Sequence, residues 1–504
     1  MRPKPDTNQH PSASLSWMSA ALLVIALAAY TWFLWPQLHA TAGGSDSSGY
    51  LNHARLLERG EFHSQAVELA AYPTAKAPGF TYAPLGFKPV DSKGTLVCTY
   101  PPGLPLMLVA VAHFTGWELA PDLVMLGHVL AALILTGVLA RRCGLGVGWC
   151  FLAVGLLAFS PIFLNSGIQL LSDIPAAAWL SAALLCALEA RRRAQAAFAA
   201  GLCLGVAVLL RPTNLLGFLP LLLAIAPPFD RAARRSLPWI ILGGLPCALV
   251  LLGLNRLELG SWFASGYGDV GQLLSPANLA RSLTAYVLWL PATLGLLVPA
   301  ALALPWIHAR PLRIRLVLGT WILVVAGFYA LYYHTGEDWT YMRFLVPAAP
   351  ALIVASLLAC ESLAGCIRNL RLQGALAALS LALLTALLWQ SNRHFHALSA
   401  GRAEERYDLA CERAQALLPR KAVVLAMQCS GALRYRTDFL IARYDMLRPD
   451  SFAKLRAAAA AEKRPIYALL FPFEQPEVLQ TKTPGRWQVI AQVEDLKLYQ
   501  LRSE

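Results

Sequence analysis

The sequence predicts a polytopic α-helical membrane protein carrying a small α/β domain at its C-terminal end. Three observations lead there. Of 504 residues, 57% are hydrophobic and only 14% charged, with a mean hydropathy of +0.51, which is less charge than a soluble globular chain carries. Apolar runs recur through residues 17–390, divided by short polar connections. The arginines gather in a subset of those connections: Arg141 and Arg142, Arg191 to Arg193, Arg231 with Arg234 and Arg235, Arg310, Arg313 and Arg315, and Arg368 with Arg371. That is the bias of loops facing the cytoplasm. The net charge of +13, so distributed, answers to a membrane and excludes nucleic acid as the expected partner.

Taken in order, residues 1–16 are polar and read as a cytoplasmic tail. The first run, 17–36, has no small-residue cleavage site after it and reads as a retained helix. Further spans are expected at 122–140, 146–163, 174–189, 196–210, 213–226, 237–254, 284–305, 314–333, 345–361 and 374–390, about 11 transmembrane helices in all. A bilayer core asks for ~20 apolar residues. The runs 196–210 and 213–226 fall short of that and are separated by Arg211 and Pro212. They read either as a hairpin that partly crosses or as two short spans ending in a thinned or wet region. With the N-terminus inside, every arginine tract lands on the cytoplasmic face, and 37–121, 165–173, 255–283, 334–343 and 391–504 lie outside. The same bookkeeping decides that 101–116 is an interfacial or re-entrant helix, because a span there would move Arg191–Arg193 outside.

The domains are therefore the tail 1–16, a transmembrane module 17–390 with a large first outer loop 37–121, and an extracytoplasmic α/β domain 391–504. In that last domain 404–418 reads as an amphipathic helix, 422–427 and 466–471 as buried strands with a helix 451–462 between them, and 487–493 with 496–501 as a terminal hairpin. It has no nucleotide-binding glycine loop. Ten cysteines show no CxxC or zinc-like spacing. Cys411 and Cys429 read equally as a disulfide or as two buried thiols.

Function is concentrated in Gly43-Gly44-Ser45-Asp46-Ser47-Ser48-Gly49-Tyr50-Leu51-Asn52-His53, just past the first span. Ser45 or Asp46 is placed to cap a helix running to Glu58. On that helix Asp46, Tyr50 and His53 share a face, and the helix N-terminus favours an ionised Asp46. Asp173, in Ser172-Asp173-Ile174-Pro175, has the form of a cap with proline just inside. An arginine between two short apolar runs, as at Arg211, is costly without a partner or water. Arg343 reads equally as a snorkelling flank. Lys88 and Lys93 meet the description of headgroup contacts, Tyr100 that of an interface anchor, and His334, Glu337 and Asp338 that of a solvated turn.

The motifs "GGSDSSGYLNHARLL", "YPPGLPLML", "LLSDIPAAAWL", "LLRPTNLLGFLP" and "YMRFLVPAAPAL", in this order, resemble the GT-C superfamily of membrane glycosyltransferases. The resemblance is strongest to bacterial relatives of protein O-mannosyltransferases (family 39) and of lipid A aminoarabinose transferases. It covers residues 17–358. It implies an inverting, inner-membrane glycosyltransferase that takes a sugar from a polyprenyl-phosphate-sugar donor and passes it to an envelope acceptor on the extracytoplasmic face. Asp46 matches the catalytic carboxylate and Asp173 a second carboxylate. Cations, Arg343 first, then Arg211, Lys88 and Lys93, would hold the donor phosphate. Tyr50, His53, Tyr100 and Glu337 would contact substrate. No cofactor is implied, and no DxD-type metal pair stands beside either aspartate. The rival readings are a transporter or flippase of a lipid-linked substrate, and a non-catalytic envelope scaffold. Against transport stand the absence of an internal inverted repeat and the scarcity of polar residues at mid-membrane depth.

Overall fold

The computed structural model describes residues 17–225, 231–367 and 369–502; the expected tail 1–16 lies outside the described residues. The helical module begins with α1 (Trp17–Leu34), α2 (Gly44–Glu58) and α3 (Gly103–Thr115). It continues with α4 (Ala120–Arg142), α5 (Val147–Ala158), α6 (Pro161–Gly167), α7 (Asp173–Glu189), α8 (Ala194–Leu210) and α9 (Phe218–Ile225). The chain then runs through α10 (Arg231–Leu259), α11 (Leu279–Leu294), α12 (Leu312–Ala330), α13 (Ala349–Ala364) and α14 (Leu370–His394).

By length and composition, among the described residues, six helices can cross a membrane, or eight if each of two bent pairs is one span. The expected span 146–163 is such a pair: α5 and α6 meet at 60°, where Ser160 and Pro161 interrupt the ladder. The expected span 284–305 is the other, broken by 107° at Gly295, whose φ of 116° only glycine adopts freely. The remaining spans of the eleven-span reading are shorter helices, α7 and α8 at 17 residues each and the apolar stretch Pro212–Ile225. The stretch expected at 101–116 is the short helix α3.

Close helix crossings come from small residues, as lipid-embedded packing requires. At the α8–α10 crossing a Cβ on Gly201 would overlap the Ile240 backbone and one on Gly243 the Phe198 backbone. Helices α4, α7 and α13 form the interior of the bundle. Of α1 only Tyr30 and Leu34 are buried, with Leu27 and Phe33 packed partly against the core, so most of that apolar helix is exposed.

The first outer loop carries a small antiparallel sheet of β1 (Ser64–Gln65), β2 (Phe87–Pro89) and β3 (Thr95–Cys98), in the order β1-β3-β2. The C-terminal domain holds α15 (Ala400–Leu417), β4 (Val423–Leu425), α16 (Ser430–Arg436), β5 (Leu440–Ala442), α17 (Pro449–Ala461), β6 (Ile466–Leu470), β7 (Trp487–Val493) and β8 (Leu496–Leu501). Its five-stranded sheet runs β5-β4-β6-β8-β7. Strands β4, β5 and β6 are parallel and fully buried, and the β7–β8 hairpin adds antiparallel. Cys411 and Cys429 are buried free thiols, so the disulfide reading gives way to the apolar one.

This domain sits on α2 and the first loop. Gly431 abuts Ser48 so closely that a Cβ would overlap its hydroxyl. Asn52 donates to the Gly431 carbonyl at 3.0 Å, Arg443 N–H to the Thr81 carbonyl at 2.7 Å, and Leu85 N–H to Ser430 Oγ at 2.9 Å. Helix α2 is thereby held between the membrane module and the sheet domain.

Candidate active site

Helix α2 starts two residues earlier than a Ser45 cap requires and three earlier than an Asp46 cap. Gly43 is the N-cap with no side-chain bond, and Gly44 takes φ +51°. The Gly-Gly pair makes the turn, which frees Asp46, in the first helical turn, to point elsewhere. Its carboxylate accepts from the Arg343 guanidinium at 2.6 Å. Asp173 is likewise not used as a cap: it lies inside α7, whose N-cap Ser172 makes no capping side-chain bond, and the Asp173 carboxylate, 1% exposed, pairs with Arg211 on one oxygen and with Arg343 at 3.4 Å on the other. The two acids and two arginines form one chain of charges, Asp46–Arg343–Asp173–Arg211. The last two arginine positions come from segments where helix geometry breaks: Arg211 is extended between α8 and a 3-10 turn, and Arg343 lies in the 3-10 stretch Trp339–Ala348.

These four side chains line a cavity of about 780 Å3 together with Ser45, Tyr50, Tyr100, Ser172, Tyr267, Tyr329, Tyr332, Tyr341, His334 and Phe344. Tyr50 donates to Ser172 Oγ at 2.8 Å, and the Tyr100 hydroxyl is 2.7 Å from that of Ser45. Tyr100 is flanked by Tyr50 at 5.1 Å and Tyr267 at 5.9 Å, ring centre to ring centre. Phe344 stacks on Tyr329 and lies under both guanidinium groups, 5.3 Å from Arg211 and 5.2 Å from Arg343. An aromatic face beside each cation adds attraction without consuming a hydrogen-bond donor.

Burial by itself would push the Asp46 carboxyl up, but Arg343, a hydrogen bond from Tyr100 and the more distant Arg211 outweigh it and hold it below its ordinary value. Tyr100 is pushed well up by burial and by the neighbouring Asp46 charge, so it stays a hydroxyl donor.

The residues named from sequence are sorted by this geometry. Asp46, Asp173, Arg343, Arg211, Tyr50 and Tyr100 share the cavity. His53 does not line it: its Nε2 meets Glu258 Oε1 at 2.8 Å in a buried pair between α2 and the end of α10. His53 lies seven residues beyond Asp46 on the same face, about 10 Å further along the helix, where it reaches Glu258 and not the cavity. Lys88, on β2, donates to the Ser265 carbonyl at 3.0 Å, behind the loop that carries Tyr267, and burial lowers its ammonium. Lys93 lies in the exposed turn over Asp91. Glu337 pairs with His334 at 2.8 Å and touches the cavity only through it. Sequence reasoning missed Tyr267, Tyr329, Tyr332 and Phe344, and also Glu404 of α15, whose carboxylate rests against Gly43. Among the described residues no group of three or more His, Cys, Asp or Glu side chains is arranged to hold a metal ion.

No family model and no curated protein matches the sequence. Solved structures do match. ArnT from Cupriavidus metallidurans bound to undecaprenyl phosphate is similar over 97% of this chain and 98% of its own, with a TM-score of 0.57 at 16% identity; its apo form gives 0.55 at 15%, over 96% and 98%. The Archaeoglobus fulgidus oligosaccharyltransferase tethered to an acceptor peptide gives 0.58 at 13%, over 91% of this chain and 70% of that one. The chain thus shares the overall fold of these solved structures.

Proposed function

We propose that this chain is an inverting glycosyltransferase of the inner membrane that moves a sugar from a polyprenyl-phosphate carrier to an envelope acceptor on the extracytoplasmic face. The observation that carries the reading is the Asp46–Arg343–Asp173–Arg211 chain opening onto one aromatic-walled cavity. A further support is the likeness in fold to a protein solved with undecaprenyl phosphate. The eleven-span topology, with the N-terminus inside and the C-terminal domain outside, belongs to the same proposal. So does the role of Asp46.

In the proposed reaction the acceptor oxygen bonds to the sugar C1 as the bond from C1 to the phosphate oxygen breaks. The acceptor proton goes to Asp46 and the electron pair to the phosphate. Asp173 holds Arg211 and Arg343 toward the cavity, and the two guanidiniums receive the charge gathering on the leaving phosphate. A carboxylate clamped by Arg343 is a weak base. Once the donor phosphate engages Arg343, that clamp loosens and Asp46 gains basicity, so the base strengthens when the donor is in place.

The test is Asp46→Asn in full-length protein reconstituted with labelled polyprenyl-phosphate sugars. We expect release of polyprenyl phosphate to fall by about 10²–10⁴-fold while polyprenyl-phosphate binding and thermal stability persist. Unchanged turnover would reject the base assignment. A phosphatase fused after Ser391 should be active on the extracytoplasmic face; an inactive fusion would reject the topology.

A further inference from the structure

A second polar cavity, of about 390 Å3, opens on the other side of α2, between that helix, the first loop and α16. Four arginines line it: Arg55 and Arg59 from α2 and its end, and Arg434 and Arg436 from α16. Their partners are unequal. Arg436 is matched by both oxygens of Asp408, at 2.9 and 2.6 Å. Arg55 meets Glu58 at 3.2 Å in a solvent-exposed pair and sits over Trp117, its guanidinium carbon 4.1 Å from the ring centre. Arg434 donates to Ser64 Oγ at 2.7 Å, a neutral partner. Its guanidinium is held down by burial and by Arg59 across the cavity, with Asp438 acting the other way. Arg59 has no ion pair among the described residues. Arg59 and Arg434 therefore line one cavity with two further arginines and a single lining acid, Asp438. Like charges held together around a void are costly unless an anion joins them, and guanidinium forks from two elements suit the oxygens of a phosphate.

The position of the cavity says where that phosphate comes from. Trp117, which carries Arg55 on its face and donates to Glu58 at 2.9 Å, lies three residues before α4, a helix long and apolar enough to cross a membrane. Phe114, 85% exposed, and Leu119 stand beside it in sequence with open apolar surface. Tryptophan with exposed apolar neighbours at the start of a span marks the bilayer interface. Along α2 the arginines are up to 13 residues from Asp46, about 20 Å at the helical rise.

We propose that this arginine cavity binds the headgroup phosphate of an anionic membrane lipid, at a site separate from the Asp46 cavity, and so ties the back of α2 and α16 to the bilayer surface. The inference rests on the membrane placement of the chain and not on the transfer chemistry.

Full-length protein in detergent is titrated with phosphatidylglycerol, with phosphatidylcholine and with inorganic phosphate, reading bound lipid by native mass spectrometry and protection by thermal melting. Wild type should retain phosphatidylglycerol saturably and in preference to phosphatidylcholine. Arg59→Glu, at an exposed position, should weaken this about tenfold or more without lowering the melting point of the lipid-free protein, and Arg434→Ala with Arg59→Ala should abolish it. Arg343→Lys, in the other cavity, should leave it unchanged. Equal retention of the two lipids, or wild-type retention by Arg59→Glu, overturns the proposal. Full protection by inorganic phosphate with nothing added by the lipid overturns the lipid assignment in favour of a free-anion site. Failure of any of these leaves the Asp46→Asn outcome untouched.

Discussion

Glu404 of α15 lies against Gly43, the residue that caps α2. Its side chain lies against Gly43 so tightly that an alanine there would overlap the carboxyl. Burial, reinforced by the Asp46 charge and opposed by Arg406 and Arg343, raises its carboxyl from 4.5 to about 7. An acid raised in the folded state keeps its proton while the unfolded chain has lost it. Its contribution to stability is whole below 4.5, drains as pH climbs, and is gone above about 7. Carrying the carboxyl from 4.5 to about 7 corresponds to about 3 kcal/mol, an upper figure because the residue is only half-buried. Glu404→Gln keeps the shape and removes the titration. The variant should melt at a nearly constant temperature from pH 5 to 8, whereas wild type should lose stability across that window and fall below the variant at pH 8. Melting followed at matched lipid content gives the comparison. Parallel pH profiles for the two proteins would show that Glu404 is well solvated and that the C-terminal domain does not press on α2.

Three further outcomes follow from the packing. Asp173→Ala should cost about 3–5 kcal/mol by stranding Arg211 in a buried place; adding Arg211→Ala should recover part of it, and strict additivity in the double-mutant cycle would deny the pairing. Gly266→Val should depress turnover while leaving every charged group of the site intact, because a Cβ there overlaps the Thr99 carbonyl and pushes Tyr267 from the cavity; normal turnover would show that Tyr267 has no part in it. His53→Leu alone should destabilise by about 3 kcal/mol through the buried, unpartnered Glu258, and the pair His53→Leu with Glu258→Leu should be near neutral; equal melting losses for single and double variants would remove the pair as a strut between α2 and α10.

What the sequence disclosed is what is local. Apolar runs marked the helices, and two short apolar-rich runs divided by Glu494 and Asp495 placed the hairpin Trp487–Val493 and Leu496–Leu501 at its observed bounds. The helix after Gly43-Gly44 was visible because turn glycines, a first-turn acid and a following apolar face all fall within fifteen residues. Pairings were not visible. Asp46 meets Arg343 across 297 residues and Asp173 meets Arg343 across 170, and no periodicity links them. Lys88 and Lys93 ranked behind Arg343 and Arg211 as cations for the donor phosphate, and strand geometry turns Lys88 to the Ser265 carbonyl. Tyr267 comes from a loop with no pattern of its own. The bends after Ala158 and at Gly295 were hidden for a related reason: hydropathy reports how apolar a run is, not whether its hydrogen-bond ladder continues through it.

The charge count of the site argues for its place in the proposed reaction. Two aspartates and two arginines make the empty cavity neutral, and a sugar phosphodiester brings one negative charge. Transfer turns that diester into a monoester with a second negative charge, while the proton taken from the acceptor neutralises Asp46. The cavity therefore holds the same net charge before and after the bond changes hands, and only its location moves, from the α2 carboxylate toward the phosphate. Moving charge between fixed partners needs little reorganisation, which is where a low-dielectric site is most effective. Asp173 is the member that must stay in place: with 1% exposure and a guanidinium on each oxygen, it anchors the two cations. A base at Asp46, 27% exposed and bonded by one guanidinium, is the arrangement in which the incoming acceptor can reach the carboxylate while the leaving phosphate is held by the arginines that Asp173 positions.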